Sequence, residues 1–332
     1  MPINLLLSVL ITGFALGVIV ITVLRKASLR YHILNQKGIA LVGGIAVALL
    51  FTVLAAIFIY PVFNRQLKGL LISGLLMFLF GIIDDWRELS VAAKFAAQII
   101  ATIILMAFGI RAQIVYIGAV LNAVITFLWV IGITNAFNHL DVTDGLATGT
   151  AIMVSLSLFI IASINRDPAI ALFALVLTAS LLACFAYNFP PAKIYLGNAG
   201  SHFLGFLMAG IALAISYAPM HRKIALLSPI VILGLPIFDT VFLILVRLIK
   251  RKLPFNKSDD HLALKLLANG YSKKQALFMM LLLCFLFCLF GILLSQVSNA
   301  VGAIIILATA ASALLFLTKV KSKKQLKAAV RG

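Results

Sequence analysis

Acidic residues are almost missing from this chain. Nine Asp and Glu stand among 332 residues, and charged residues of every kind make up only 11%. Soluble domains carry roughly 25% charged residues, so this sequence cannot clothe a water-facing surface. Combined with 64% hydrophobic residues, the scarcity excludes disorder, fibres and a soluble Rossmann or barrel enzyme. Cysteine is scarce as well. Cys184, Cys284 and Cys288 fall in apolar runs without metal-ligand partners nearby, and they read as small hydrophobes. The start lacks the positive n-region of a secretory signal and its apolar run is too long for a signal core, so an uncleaved first span is expected.

What the chain has in abundance is apolar length. Runs recur at 3–24, 39–60, 69–83, 91–110, 112–134, 146–164, 168–187, 201–217, 224–246, 276–295 and 300–317, and a spanning helix needs ~20 such residues. The expected fold class is an all-α integral membrane protein of about eleven (10–11) transmembrane helices, a single polytopic domain over 1–332. Short connections leave room only for a cytoplasmic loop at 247–275 with a short interfacial helix, and for a basic cytoplasmic tail at 319–332. No internal repeat argues for an inverted-repeat transporter.

Lys and Arg number 27, for a formal charge of +18, a balance that invites a nucleic-acid reading. Position decides against it. Counted span by span, 21 of the 27 fall in alternate connections and the C-terminal tail, and 6 fall in the others. That bias is a topology signal, placing the N-terminus outside and the C-terminus in the cytoplasm, with the membrane and no nucleic acid as partner. Eight of the nine acids, all but Asp167, lie on or near the same side. Ionisable groups at a membrane mark function by default.

Four segments carry the chemistry. Asp84-Asp85 closes the third run; adjacent carboxylates near low dielectric need a compensating cation, Mg²⁺ or Lys/Arg, unless Asp85 caps the next helix. Asn135-Ala136-Phe137-Asn138-His139-Leu140-Asp141-Val142-Thr143-Asp144 gathers hard and amide oxygens ahead of a helix N-terminus suited to phosphate. Spacing of three puts Asn135 and Asn138 on one helix face, as it would Asp141 and Asp144, while His139 alone reads as a satisfied packing residue. Pro190-Pro191, Lys193, Tyr195 and then Gly197-Asn198-Ala199-Gly200-Ser201 form a stiff loop and a turn with exposed N–H groups, a phosphate-cradling arrangement. The long loop holds Asp259-Asp260-His261, an amphipathic stretch ended at Asn269-Gly270, and Ser272 as cap of the next span. Asp239 is either a buried partner for a loop cation or part of the site.

Taken together and in this order, these segments resemble the polyprenyl-phosphate N-acetylhexosamine-1-phosphate transferase family. The resemblance implies Mg²⁺ (with Mn²⁺ as a substitute), a UDP-N-acetylhexosamine donor, an undecaprenyl-phosphate-like lipid acceptor, release of UMP and a place in the bacterial cytoplasmic membrane; whether the protein forms a homodimer stays open. It also implies roles. Asp84 and Asp85 match the paired aspartates, and Asn138, Asp141 and Asp144 match an Asn-x-x-Asp-x-x-Asp element that positions nucleotide and metal. Tyr195 matches an aromatic stacking on uracil, His261 the first histidine of a motif near the pyrophosphate, and Lys37 a basic residue of the first loop. The candidate catalytic set is therefore Asp84, Asp85, Asp141, Asp144 and His261. Lys37, Asn135, Asn138, Tyr195, Lys193 and Ser201 are the candidate substrate-binding residues, and Asn198, Asp85 and Asn138 the candidate metal ligands. Three positions depart from the family: Asn198 stands where aspartate is usual, Ala263 and Leu264 replace later histidines, and Val142 replaces a glycine. Loss of the histidine run argues against the phospho-N-acetylmuramoyl-pentapeptide transferase branch, and Asn198 keeps a non-catalytic, ligand-binding relative as a further alternative.

Overall fold

The computed structural model describes residues 1–36, 38–217, 222–251 and 258–320. Lys37, part of the 247–275 loop and most of the basic tail therefore lie outside the described residues. The fold is helical, with a minimal hairpin, β1 (Asn35–Gln36) and β2 (Ile39–Ala40), after the first helix. In order, the helices are α1 (Ile3–Tyr31), α2 (Gly43–Leu54), α3 (Arg65–Trp86), α4 (Val91–Ala107), α5 (Gly118–Leu140), α6 (Leu146–Ile164) and α7 (Pro168–Asn188). They continue with α8 (Gly197–Ala214), α9 (Ser228–Ile232), α10 (Gly234–Ile249), α11 (Leu262–Ala268), α12 (Lys273–Leu294) and α13 (Asn299–Val320).

Among the described residues, eight helices are long and apolar enough to cross a membrane, or nine if one bent pair forms a single span. The protein is thus an all-α, multi-pass membrane protein. Each of the other three apolar runs is present as helix, for a different physical reason. Run 91–110 stops at Ala107, where Gly109 turns with φ +95°, leaving a 17-residue helix. Run 224–246 is broken: Lys223–Ile232 and Gly234–Ile249 meet at 73°. Pro236 has no N–H to give Ile232, and the Cys288 thiol approaches that carbonyl at 3.8 Å instead. Run 201–217 becomes α8, which starts four residues early and is buried along most of its length rather than presented to lipid.

The core sits around α7 and α8. α7 packs against α1 and α6, and α8 against α3 and α5. α7 is 78% buried over its most apolar window and α13 only 6%. Small residues let α8 enter: a Cβ on Gly44 would lie 2.2 Å from the Gly200 nitrogen, so two backbones meet where no side chain fits.

Among the described residues, cations from the two groups counted in the sequence are found at opposite ends of the helices. Arg65 donates to the Ala107 carbonyl, Arg222 to that of Ser295, and Lys223 lies over the Tyr116 ring, all at one end of the bundle. Arg25 donates to the Lys193 carbonyl at the other end.

Candidate active site

Helix α8 begins where the separated motifs converge. Asp85, near the C-terminus of α3, accepts from the Asn198 N–H at 2.8 Å and the Ala199 N–H at 2.9 Å. The positive end of α8 is thus neutralised by a carboxylate more than a hundred residues upstream. Gly197 makes this approach feasible: its φ is +75° and a Cβ there would lie 2.7 Å from Asp85 Oδ2. The turn read as a phosphate cradle therefore already holds an anion, and Asp85 caps α8 rather than the helix that follows it. Its neighbour Asp84 turns inward, where Lys94 Nζ pairs with Oδ2 at 2.7 Å and the Leu89 N–H donates to Oδ1 at 2.9 Å. The Asp84 side chain is fully buried. The paired aspartates find separate compensation, one from a lysine of α4 and one from a helix terminus.

The second segment reaches the same place from α5. Asn138 contacts His202 of α8 through its amide nitrogen at 3.3 Å, and the Ser201 hydroxyl donates to its Oδ1 at 3.4 Å. Asp141 caps α5. Burial, with the charges of Asp85 and Asp144 adding to it and the Gly197 N–H opposing, pushes the Asp141 carboxyl up to about 7. Asp144 is buried, accepts from the Ala192 N–H at 3.3 Å and pairs with Lys273 Nζ of α12 at 3.1 Å. Asn135 is placed otherwise: its amide exchanges hydrogen bonds with the buried amide of Gln98, at 2.9 and 3.2 Å, which ties α5 to α4.

The third segment is held to the first loop by backbone. The Tyr195 N–H donates to the Ala40 carbonyl, and the Gly43 and Gly44 N–H groups donate to the Tyr195 and Leu196 carbonyls. Asn188 braces it from beneath: its oxygen accepts from the Gly145 N–H and the Thr148 hydroxyl, and its nitrogen donates to the Ile194 carbonyl. Lys193 is exposed at the rim, whereas Tyr195 is partly buried. The fourth segment closes the group. His261 Nδ1 lies 2.8 Å from Asp239 Oδ2, and the Leu262 N–H donates to Asp239 Oδ1, so Asp239 is the partner that fixes the histidine. The His261 and His139 rings stand 6.2 Å apart, edge to face. His139 is not a satisfied packing residue, since its Nδ1 is buried without a hydrogen bond. Burial alone would raise the neighbouring Asp260 carboxyl, but Lys250 and Lys265 hold it below the ordinary carboxylate range.

The donor set suits a particular kind of cation. Among the described residues no three His, Cys, Asp or Glu side chains stand close enough to cage a metal. Asp141 forms no ion pair among the described residues, and its raised carboxyl marks a spot where anionic charge lacks compensation. Such a spot suits Mg²⁺, which binds through one or two carboxylates, keeps several waters and takes the remaining ligands from substrate phosphates.

His202, Lys94, Lys273 and Asn188 were not singled out from sequence. Of these, His202 carried a readable signal: it follows Asn198 by four residues on what is now a helix, so both point to one face.

The fold is that of a polytopic membrane protein with a cluster of acids, amides and histidines at one end of its helices. Residues 67–216, from α3 through α8, match the pattern of glycosyl transferase family 4. The chain is 29% identical over 275 residues to the "Probable undecaprenyl-phosphate N-acetylglucosaminyl 1-phosphate transferase" of Bacillus subtilis, covering 79% of this chain and 75% of that one. It is 28% identical to the decaprenyl-phosphate N-acetylglucosaminephosphotransferase of Mycolicibacterium smegmatis, over 83% of this chain and 78% of the relative. A phospho-N-acetylmuramoyl-pentapeptide-transferase of Streptococcus equi subsp. zooepidemicus is 30% identical, but over 55% of this chain and 61% of its own.

Proposed function

We propose that this protein transfers N-acetylglucosamine 1-phosphate from UDP-N-acetylglucosamine to a polyprenyl phosphate in the bacterial cytoplasmic membrane, releasing UMP. The meeting of four sequence-distant motifs around the N-terminus of α8 carries the reading. The relatives named for N-acetylglucosaminyl phosphate transfer, matched over most of their length, give the substrates. The pentapeptide transferase is matched over a shorter stretch, and this chain has Ala263 and Leu264 after His261. The end bearing the site faces the cytoplasm, following the distribution of Lys and Arg.

In the reaction, an oxygen of the lipid phosphate attacks the β-phosphorus of the donor. A new P–O–P bond forms, the bond from that phosphorus to the bridging oxygen breaks, and its electron pair departs with UMP. Positioning and charge compensation supply most of the rate in such transfers. Asp141, with Asp85 and the amide oxygens of Asn138 and Asn198 beside it, would hold Mg²⁺, which when bound screens the facing phosphates. Lys94 pairs with Asp84 and fixes it at the end of α3. Asp239 orients His261 so that its Nε2 is turned away from the carboxylate and toward the site. Lys193 and Lys273 at the rim draw in an anionic donor by steering.

A panel of UDP-sugars tested against undecaprenyl phosphate, with lipid products identified by mass spectrometry, checks this. The expected product is polyprenyl-diphospho-N-acetylglucosamine, lost on adding EDTA and regained with Mg²⁺. Absence of any lipid-linked sugar phosphate across the panel would refute it.

A further inference from the structure

His202 is fully buried in the second turn of α8, and both ring nitrogens are engaged. Nδ1 lies 2.9 Å from the Asn198 carbonyl oxygen. A carbonyl oxygen only accepts, so Nδ1 must carry the hydrogen. In a neutral ring Nε2 is then a lone pair. Its partner, 3.3 Å away, is the side chain of Asn138, which can meet a lone pair only with its NH₂ group. The amide of Asn138 is thereby fixed in one sense, nitrogen toward the ring and oxygen toward Ser201. The Ser201 hydroxyl has one hydrogen and two acceptors at 3.4 Å, Asn138 Oδ1 and the Asn198 carbonyl. Asn138 Oδ1 thus keeps acceptor capacity.

We propose that His202 is a positioning residue that locks Asn138 with its amide oxygen presented to the bound cation or nucleotide. The proposal rests on the transferase reading above for what that oxygen meets. An amide left to itself offers NH₂ and oxygen at similar energy, and an NH₂ turned to a cation site would repel its occupant. Among the described residues, His202 Nε2 is the partner seen for the Asn138 NH₂, while Ser201 approaches its oxygen. His202 also contacts the Phe80 ring, centroids 6.2 Å apart, so a pure packing role is the competing account. The two accounts differ in what a substitution must preserve. Packing asks for a ring of similar size, whereas positioning asks for an acceptor at the place of Nε2.

Three variants of the full-length protein separate them. His202→Gln puts an amide oxygen near the place of Nε2, His202→Asn keeps only the donor near the place of Nδ1, and His202→Phe keeps the ring. Binding of Mn²⁺ to purified, substrate-free protein, followed by electron paramagnetic resonance, gives a readout independent of turnover; KM and kcat for UMP release give a second. His202→Gln should stay within about threefold of the parent, while His202→Asn and His202→Phe weaken Mn²⁺ binding or raise KM by ~10–100-fold, the range for losing a group that orients a ligand. Thermal unfolding of each variant identifies protein that is simply misfolded. Parent-like behaviour of folded His202→Phe or His202→Asn overturns the proposal, as does a folded His202→Gln that fails equally, or a parent that binds no Mn²⁺. A parent that binds Mn²⁺ but forms no lipid product refutes the transferase reading alone, and the binding series still decides the role of His202.

Discussion

Replacing Asp85 by Asn separates what this carboxylate does for the fold from what it does for chemistry. In the parent both oxygens accept an N–H from the start of α8, at 2.8 and 2.9 Å. Asparagine keeps one acceptor and presents an NH₂ to the other N–H, so one charge-assisted hydrogen bond is lost together with the charge facing the helix terminus. A hydrogen bond to a charged group contributes ~1.5–3 kcal/mol and the terminus up to another ~1 kcal/mol, but desolvation of the partly buried Asp85 carboxylate offsets part of this, leaving a net loss of about 1–2 kcal/mol. Asp141→Asn is the matched control. Burial and neighbouring charges already disfavour ionised Asp141, so a neutral isostere should leave stability unchanged or raise it at pH 8. Thermal unfolding in detergent should thus rank Asp85→Asn below the parent and Asp141→Asn level with it or above. UMP release should fall in both. Equal stability of Asp85→Asn and the parent, or greater damage from Asp141→Asn, would show that α8 does not depend on this cap.

The raised carboxyl of Asp141 sets two pH dependences. Its folded-state value of about 7 lies above the free value of 3.8, so the cation-free protein binds an extra proton and loses stability as pH rises from about 4 through 7. Cation binding runs the other way, weakening about tenfold per pH unit below 7 because the proton must leave first; titrations at several pH values should show that slope in the parent and not in Asp141→Asn. Lys94→Met strands the buried Asp84 charge. With Lys94 keeping some water contact, unfolding measurements should show a loss of about 2–4 kcal/mol, partly restored by adding Asp84→Asn.

The spans were largely legible because their length and apolarity are local properties, and the capping box at Ser272 and Gln275 follows from adjacent residues. What required coordinates is long-range. The partner of Asp85 lies in α8, and the choice left open for Asp239 was settled by a histidine 22 residues away. Apolarity marked 224–246 as one span, and its bend at Leu233 goes instead with Pro236, whose missing N–H leaves the Ile232 carbonyl free of the helix ladder. The polar first turn of α8 hid its start, since Asn198 and Ser201 read as loop until Asp85 accounts for their helical backbone. Likewise Asn135 shares a helix face with Asn138, yet Gln98 of α4 takes its amide, a pairing that helical spacing does not foretell.

The cap on α8 has a consequence for how this protein can change. Because one carboxylate both completes a helix and stands in the acidic cluster, drift at position 85 meets selection on folding before selection on activity. Among the described residues, Asp141 meets the Gly197 N–H alone at that terminus, and burial outweighs this bond, so the fold gains little from its charge. A lineage that lost its substrate would therefore be expected to keep the Asp85 acid as architecture long after shedding the Asp141 acid, so that a surviving pair of aspartates on α3 is weaker testimony to catalysis than a surviving Asp141.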